Sequence, residues 1–421
     1  MTRLLLRAHR NPFTTPSAAR VLARNLVGDN VGNLVFSYAV QRTLSVPGSS
    51  VDVARLNRAR TLSPEEIAER YDHVVIPLAN AFRKRFLPNL DAISETIEKL
   101  EIPVTVVGVG VQSAVGERVR APRQVGESVT RFVRAVLEHS PSIGVRGEWT
   151  AEYLEGLGFG SDHVEVIGCP SMFLHGDQLP LRRSTRPLDP RGPVAFNLSP
   201  YLPKMAPVVE DQVARYPGLV YFAQDIKTLG LLLEGSSDRT VIDERLPIHA
   251  DHPLIAEGRT RFPLDATTWM EALATYPFSY GTRIHGNIAA LLAGTPAYVL
   301  AHDARTLELA RYHQIPHRRI DVDVDGVDAA ALYAEADWTP MTAGHAERFD
   351  RYSAFLHSHG LSHVFDPGQA AGAQAFDERI ARKTFPPPVG EPVVGVGRSR
   401  ALADRIRSKA RRVVRPARQR V

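Results

Sequence analysis

The stretch YGTRIHGNIAALLAG, residues 280–294, decides how the rest of the chain is read. An apolar strand runs into an apolar helix, and an arginine and a histidine stand at the junction. Such junctions are tightly packed, so charge there needs a reason. SIGVRGEWTAEYLEGLG, residues 142–158, repeats the pattern: a short strand, Gly-x-Arg, a helix and a terminating glycine. From Arg146 to Gly158 is 12 residues, and from Arg283 to Gly294 is 11. Glycine at such a distance is a helix stop. Each half of the chain therefore places one arginine after a strand, at the start of a helix.

That position favours an anion. The first backbone N–H groups of a helix are unpaired, and the helix dipole is positive there. An arginine adds a forked, permanently charged donor suited to carboxylate or phosphate. In open α/β sheets ligands bind beyond the carboxyl ends of the strands, where both turns lie. Two facing halves would clamp one anionic ligand between Arg146 and Arg283. A single arginine is equally explained by a local carboxylate, but Arg283 has no acidic neighbour in sequence and the pattern occurs twice. His285 falls in the first helical turn, with Gly286 beside it to let a ligand approach the backbone. It suits general acid–base work near neutral pH, and the helix dipole should lower its pKa. The plain alternative is a buried neutral histidine that caps the turn.

Bulk properties bound the answer. The 421 residues suffice for two or three domains, and 44% apolar with 23% charged residues reads as soluble and globular. One cysteine, Cys169, excludes an intramolecular disulfide and suits a reducing compartment. The start, MTRLLLRAHRNPF, is too weakly apolar for a signal peptide, and no run approaches the ~20 residues of a membrane span. A cytoplasmic protein is expected. The net charge of +5 is local: removing the ten Arg/Lys and one acid of residues 398–420 from totals of 51 and 46 leaves 41 and 45. The body is mildly acidic, which argues against a nucleic-acid partner.

Strands are expected at 73–77, 104–110, 164–168, 194–198, 219–224 and 297–301. Helices are expected at 33–42, 91–100, 128–138, 148–157, 268–275, 284–293, 304–313 and 345–358. This alternation with apolar strands predicts an α/β chain with two Rossmann-like domains facing a cleft, their parallel sheets covered by helices. The Pro/Arg-rich 179–193 reads as a linker between domains at 1–178 and 194–384. Helix 345–358 is expected to return toward the N-terminal half, and 385–421 is a Pro-rich, then basic, tail.

Several segments together resemble the polysaccharide pyruvyl transferase family. GTRIHGNIAALLAGTP resembles its Arg-x-His-Gly segment, GDNVGN (28–33) its amino-terminal Gly-Asp-Asn loop, and GVGV (108–111) its second Gly-rich strand end. SIGVRGEWTAEYLEGLG is similar to its Val-x-Arg-Asp/Glu segment. YVLAHDARTLELA (298–310) takes the place of the stretch after the Arg-His strand, with Asp303 and Arg305 where an Asp and a basic residue are common. The resemblance covers roughly residues 22–320. The chain departs from it at IPLANAF (76–82), where many members carry Gly-Gly-Gly, and at CPS (169–171), where many carry Asp-Pro.

The resemblance implies a GT-B-like fold, phosphoenolpyruvate as donor and a sugar diol as acceptor. The product is a cyclic pyruvate ketal with release of phosphate. By matching positions, Arg146, Arg283 and His285 form the donor site. His285 is the expected general acid or base, and the arginines bind donor and departing phosphate. Asp29, Asn30 and Asn33 are assigned to the acceptor side, although a turn that satisfies its own backbone explains them equally. Asp303 reads as substrate contact or N-cap, Arg305 as a substrate contact, and Asn80 as a weaker candidate. The scheme requires no metal or cofactor, and no H-E-x-x-H or C-x-x-C is present. In the tail, Leu402, Ile406, Ala410 and Val413 share a helical face among basic residues. That suits peripheral contact with anionic lipid at the inner face of the cell membrane, or a disordered segment with no fixed partner. Two further readings stand beside the first: a GT-B glycosyltransferase using a nucleotide sugar, and a non-catalytic glycan-binding or assembly protein.

Overall fold

Two parallel sheets frame the molecule in a computed structural model that describes residues 2–56, 62–112, 123–182, 186–235, 240–320 and 322–390. The N-terminal sheet contains β1 (Thr2–Arg7), β2 (Ser49–Ala54), β3 (His73–Pro77) and β4 (Val104–Val107) in the order β2-β1-β3-β4. A bridge between Val109 and Val145 joins this sheet to β5 (Ile143–Val145), which pairs with β6 (Val164–Val166). The second sheet contains β7 (Val194–Asn197), β8 (Leu219–Phe222), β9 (Thr260–Arg261), β10 (Ser279–Gly281), β11 (Ala297–Ala301) and β12 (His317–Arg319). Its order is β12-β11-β10-β7-β8-β9. Every residue of β3, β4, β5, β7, β10 and β11 is buried, as expected where helices cover both faces. The architecture is GT-B-like.

The strand orders locate the ligand region before any side chain is considered. The strand order reverses once in each sheet: between β1 and β3 in the first, and between β7 and β10 in the second. Such switch points open a crevice at the carboxyl ends of the strands. Asn80 follows β3, Arg146 follows β5, and Arg283 follows β10.

Helix Gly32–Leu44 wedges between the sheets and is buried at eleven of its thirteen positions. Leu34, Val35, Phe36, Tyr38 and Ala39 join the core of the second sheet. Val40 and Leu44 join Leu4, Leu6, Val75 and Val107 of the first. Its apolar residues face both sheets, and the buried Ser37 and Gln41 donate to the Asn33 and Val51 carbonyls at 3.0 and 3.3 Å. Helix His345–Ser358 brings Phe349, Tyr352, Phe355 and Leu356 into that same N-terminal core.

Several expected elements are shorter than their apolar runs. Strand 104–110 stops at Val107 because Gly108 turns with φ +70°, and strand 164–168 stops at Val166 ahead of Gly168 at φ +72°. Strand 219–224 ends at Phe222. Within 179–193, Arg182 is tied to the second sheet's helices, donating Nη2 to Ala274 O at 2.6 Å. Past the prolines, Val389 exchanges backbone hydrogen bonds with Phe262. The basic segment 398–420 lies outside the described residues.

Candidate active site

The two repeated turns are built alike and used differently. Arg283 is the N-cap of helix Ile284–Leu292, and no side chain caps that helix. Its backbone is set by Asn197 at the end of β7, whose Oδ1 accepts the Arg283 N–H at 2.8 Å. Asn197 Nδ2 donates to Asn287 Oδ1 at 2.8 Å, and Asn287 Nδ2 donates to Gly281 O at 3.0 Å. This buried amide pair fixes the turn. The Arg283 side chain lies over the Tyr201 ring, 5.2 Å from its centroid, with Asp225 Oδ2 at 3.7 Å. An acidic partner therefore exists, supplied from 58 positions away in sequence rather than locally.

Arg146 is only 2% exposed. Its Nη2 donates to Gly108 O at 3.3 Å, and its side chain crosses Gly110, where a Cβ would lie 2.1 Å from Nε. The second glycine of GVGV is thus required by the arginine. The following helix, Glu148–Glu155, differs from its counterpart because its N-terminus is already occupied. Glu308, from helix Ala304–Tyr312, accepts the Thr150 N–H at 2.7 Å and the Thr150 hydroxyl at 3.1 Å. The expectation that both helix N-termini face the ligand is corrected here: a carboxylate of the protein fills one of them.

His285 stands between the halves. Its Nε2 is 3.7 Å from Cys169 Sγ, and the wedge helix abuts it: a Cβ on Gly32 would lie 2.8 Å from His285 Cβ. Burial, then the charges of Arg146 and Arg305, push its pKa down to about 3. Arg305, rather than the neighbouring Arg283, is the second guanidinium acting on the imidazole. Burial lowers Arg146 itself to about 10, partly opposed by Glu308. Cys169 is buried and its thiol is pushed up, so it is held as a neutral thiol.

Asp303 caps helix Ala304–Tyr312 by accepting the Thr306 N–H at 2.8 Å, and its other oxygen meets Arg305 at 3.1 Å. Despite burial, Arg305 and His302 hold this carboxyl far below the usual range. With its amide oxygen turned toward the guanidinia, Asn80 accepts from Arg83 Nη1 at 3.1 Å and Arg305 Nη1 at 3.0 Å. Arg83 was absent from the sequence-derived set. Its pKa is lowered by burial and then by Arg305, while Asp29 and Tyr201 act in the opposite sense. The Nε atoms of Arg83, Arg146 and Arg305 are buried without a protein partner. Orphaned donors gathered in one place are what an anion would satisfy.

The GDNVGN loop is joined to the opposite half by its backbone: Asp29 O accepts the Ile226 N–H, and the Val31 N–H donates to Gln224 O, both at 3.0 Å. Asp29 has φ +69° and its carboxylate accepts from Asn25 Nδ2 at 2.7 Å. Asn30 Oδ1 accepts Gly32 N–H at 2.8 Å. Asn33 Nδ2 closes the loop onto Val27 O and Gly28 O, at 3.0 and 2.9 Å. The loop does satisfy itself, and only Asp29 stays exposed with its charge felt by Arg83. Gly286 requires a correction. A Cβ there would lie 2.5 Å from Gln224 Nε2 and 2.9 Å from Asn197 Cγ, so this glycine serves packing rather than ligand approach.

Two features lie apart from this cluster. A surface groove of about 720 Å³ contains none of these residues and is lined by solvent-facing pairs such as Arg131–Glu98. The ligand atoms of His357, His363 and Asp366 lie within 4.8 Å of one another. His363 Nδ1 accepts the Phe365 N–H at 3.2 Å, which leaves the proton on Nε2 facing Asp366, so the trio reads as a hydrogen-bonded loop tie.

A sequence profile of the polysaccharide pyruvyl transferases matches residues 30–304. No curated protein sequence matches the chain. Among solved structures, the UDP-GlcNAc 2-epimerase of Methanocaldococcus jannaschii is similar at 10% identity and TM-score 0.46, over 85% of this chain and 99% of that one. The UDP-GlcNAc 2-epimerase of Neisseria meningitidis has 11% identity and TM-score 0.38, over 91% and 100%. The glycosyltransferase SnogD of Streptomyces nogalater has 12% identity and TM-score 0.36, over 91% and 99%.

Proposed function

The chain belongs to the polysaccharide pyruvyl transferase family, and from that premise we propose that it moves the pyruvyl group of phosphoenolpyruvate onto a sugar diol of a cell-surface polysaccharide or glycolipid precursor. The observation that carries this reading is the buried meeting of His285 with Arg146 and Arg305, whose charges both act on the imidazole and whose Nε atoms are left unpartnered. Phosphoenolpyruvate is small and bears a carboxylate and a phosphate, which this set of donors suits.

In the proposed reaction Arg146 and Arg305 hold the phosphate. Arg283 and the uncapped start of helix Ile284–Leu292 hold the carboxylate. Protonation of the donor's methylene carbon makes C2 electrophilic. One sugar hydroxyl adds to C2, the C–O bond to phosphate breaks, and the second hydroxyl closes the cyclic ketal. Of the two hydroxyl protons, one ends on the new methyl group and the other on the released phosphate. His285 is neutral at pH 7, so it begins as the base that takes a hydroxyl proton and passes it to the methylene carbon. An anion between Arg146 and Arg305 offsets the charges that depress it, which eases that step. Asp29 and Arg83 face the acceptor side. The reaction belongs in the cytoplasm, where the basic segment 398–420 would rest on anionic lipid beside a lipid-linked acceptor.

The test is phosphate release from phosphoenolpyruvate in the presence of lipid-linked and polysaccharide-derived sugar diols, with the product weighed by mass spectrometry. Release tied to a ketal-sized mass gain supports the reading. Transfer from a nucleotide sugar with no use of phosphoenolpyruvate would replace it.

A further inference from the structure

The end of helix Ala304–Tyr312 and the residue after it join the two halves through consecutive side chains. Arg311 lies over the Trp149 ring at 5.3 Å, Tyr312 donates to Val166 O at 3.2 Å, and His313 accepts the Cys169 N–H at 2.8 Å. Glu308 belongs to this row and differs from it. It is 5% exposed, and both its oxygens meet Thr150. It approaches so closely that a Cβ on Gly147 would lie 2.2 Å from its Cγ. Thr150 Oγ1 in turn accepts the Val111 N–H at 3.3 Å, next to the glycine that Arg146 crosses. Removing Glu308 would thus loosen the backbone on both sides of Arg146.

We propose that Glu308 is a positioning residue with two linked tasks. It clasps the helix after Arg146 from the opposite half, and it sets the charge that Arg146 presents, so that anion binding is coupled to proton uptake at this carboxyl. The inference deepens the proposed function and rests on its anionic donor. The charged groups facing Glu308 from the N-terminal half are Arg146 and Glu148, and Arg305 stands one turn back on its own helix. Burial is the main reason its pKa is raised, to about 7, with Arg146 and Thr150 opposing and Glu148 assisting. A carboxylate beside Arg146 competes with an incoming anion for the same charge, whereas a neutral carboxyl does not. Binding and protonation therefore favour each other by the same factor.

The experiment is calorimetry of the full chain with phosphoenolpyruvate and separately with sulfate, between pH 6 and 8, in buffers of differing ionisation enthalpy. Wild type is compared with Glu308→Gln, which keeps the shape and removes the titration. Sulfate does not titrate in this range, whereas a phosphate monoester does, near pH 6. We expect wild type to take up protons on binding sulfate, with affinity falling about three- to tenfold from pH 6 to 8, corresponding to a coupling of up to one pKa unit. Glu308→Gln should bind sulfate with neither effect. Equal slopes in the two proteins overturn this inference alone. Binding of sulfate but not phosphoenolpyruvate overturns the donor assignment alone. No binding of either anion overturns both. The clasp has its own readout: amide exchange at 147–152 should quicken in Glu308→Ala but not in Glu308→Gln, and unchanged exchange in Glu308→Ala would overturn it.

Discussion

His285 Nε2 lies 3.7 Å from Cys169 Sγ, although the two residues are 116 positions apart and belong to different halves of the chain. The imidazole is thus held from the far side of the crevice. Cys169 is positioned in turn by His313, which accepts its backbone N–H, and by Gly168, whose φ of +72° turns the chain under helix Ala304–Tyr312. This is where the chain departs from the Asp-Pro of many relatives, so a neutral thiol meets the imidazole.

Substituting His285→Ala should lower turnover about 10²–10⁴-fold, the usual worth of a general acid–base group, while phosphoenolpyruvate still binds. Phosphate release and calorimetry read the two effects separately. Turnover near the wild-type value would remove His285 from the chemistry.

Cys169 should resist alkylation. Burial raises its pKa, and the thiolate is the reactive form. With iodoacetamide at pH 8 the native protein should be modified much more slowly than the urea-unfolded chain, as mass spectrometry would show. Equal rates would mean that the thiol is open or ionised.

Gly286→Ala should destabilise the fold by about 1–3 kcal/mol, as overpacking does, because the added methyl group meets Gln224 and Asn197. Urea unfolding measures this. If stability is unchanged and only donor affinity falls, the glycine serves ligand approach after all.

Acid should weaken the fold through its buried histidines. His73, His252, His302 and His345 are each lowered to about 4, chiefly by burial, against an ordinary value near 6.5. Between those values the unfolded chain binds more protons than the native one, so stability falls as pH drops from about 6.5 toward 4. Each such group costs about 2 kcal/mol at pH 5. Glu308, raised to about 7, acts in the opposite direction but is outnumbered, since burial also lowers His9 and His285 to about 3. The difference in urea midpoint between pH 7 and pH 5 should shrink in His345→Gln. An unchanged difference would contradict the assignment.

The parts of the site written locally were legible in the sequence. The Gly-x-Arg turns, His285 and the following helices depend on neighbours within a few residues, and the fold places them at strand ends. What was missed depends on pairing across the chain. Arg83 gains meaning only beside Asn80 and Arg305, and Glu308 only against Thr150, 158 positions away. Nothing in LELARY marks that glutamate as buried. Strand β1, TRLLLR, begins with the exposed Thr2 and Arg3 and ends in the half-exposed Arg7, and β2, SSVDVA, is mostly half-exposed, so neither shows a buried strand's apolar run. Gly286 was misread because its neighbours, Gln224 and Asn197, come from other strand ends.

The most direct test of the central claim is calorimetric binding of phosphoenolpyruvate to wild type, Arg146→Ala and Arg283→Ala, with UDP- and GDP-sugars alongside. The account predicts specific binding of phosphoenolpyruvate to wild type, its loss in both variants, and no comparable signal from the nucleotide sugars. Tight nucleotide-sugar binding with no phosphoenolpyruvate signal, or phosphoenolpyruvate binding indifferent to both arginines, would contradict it.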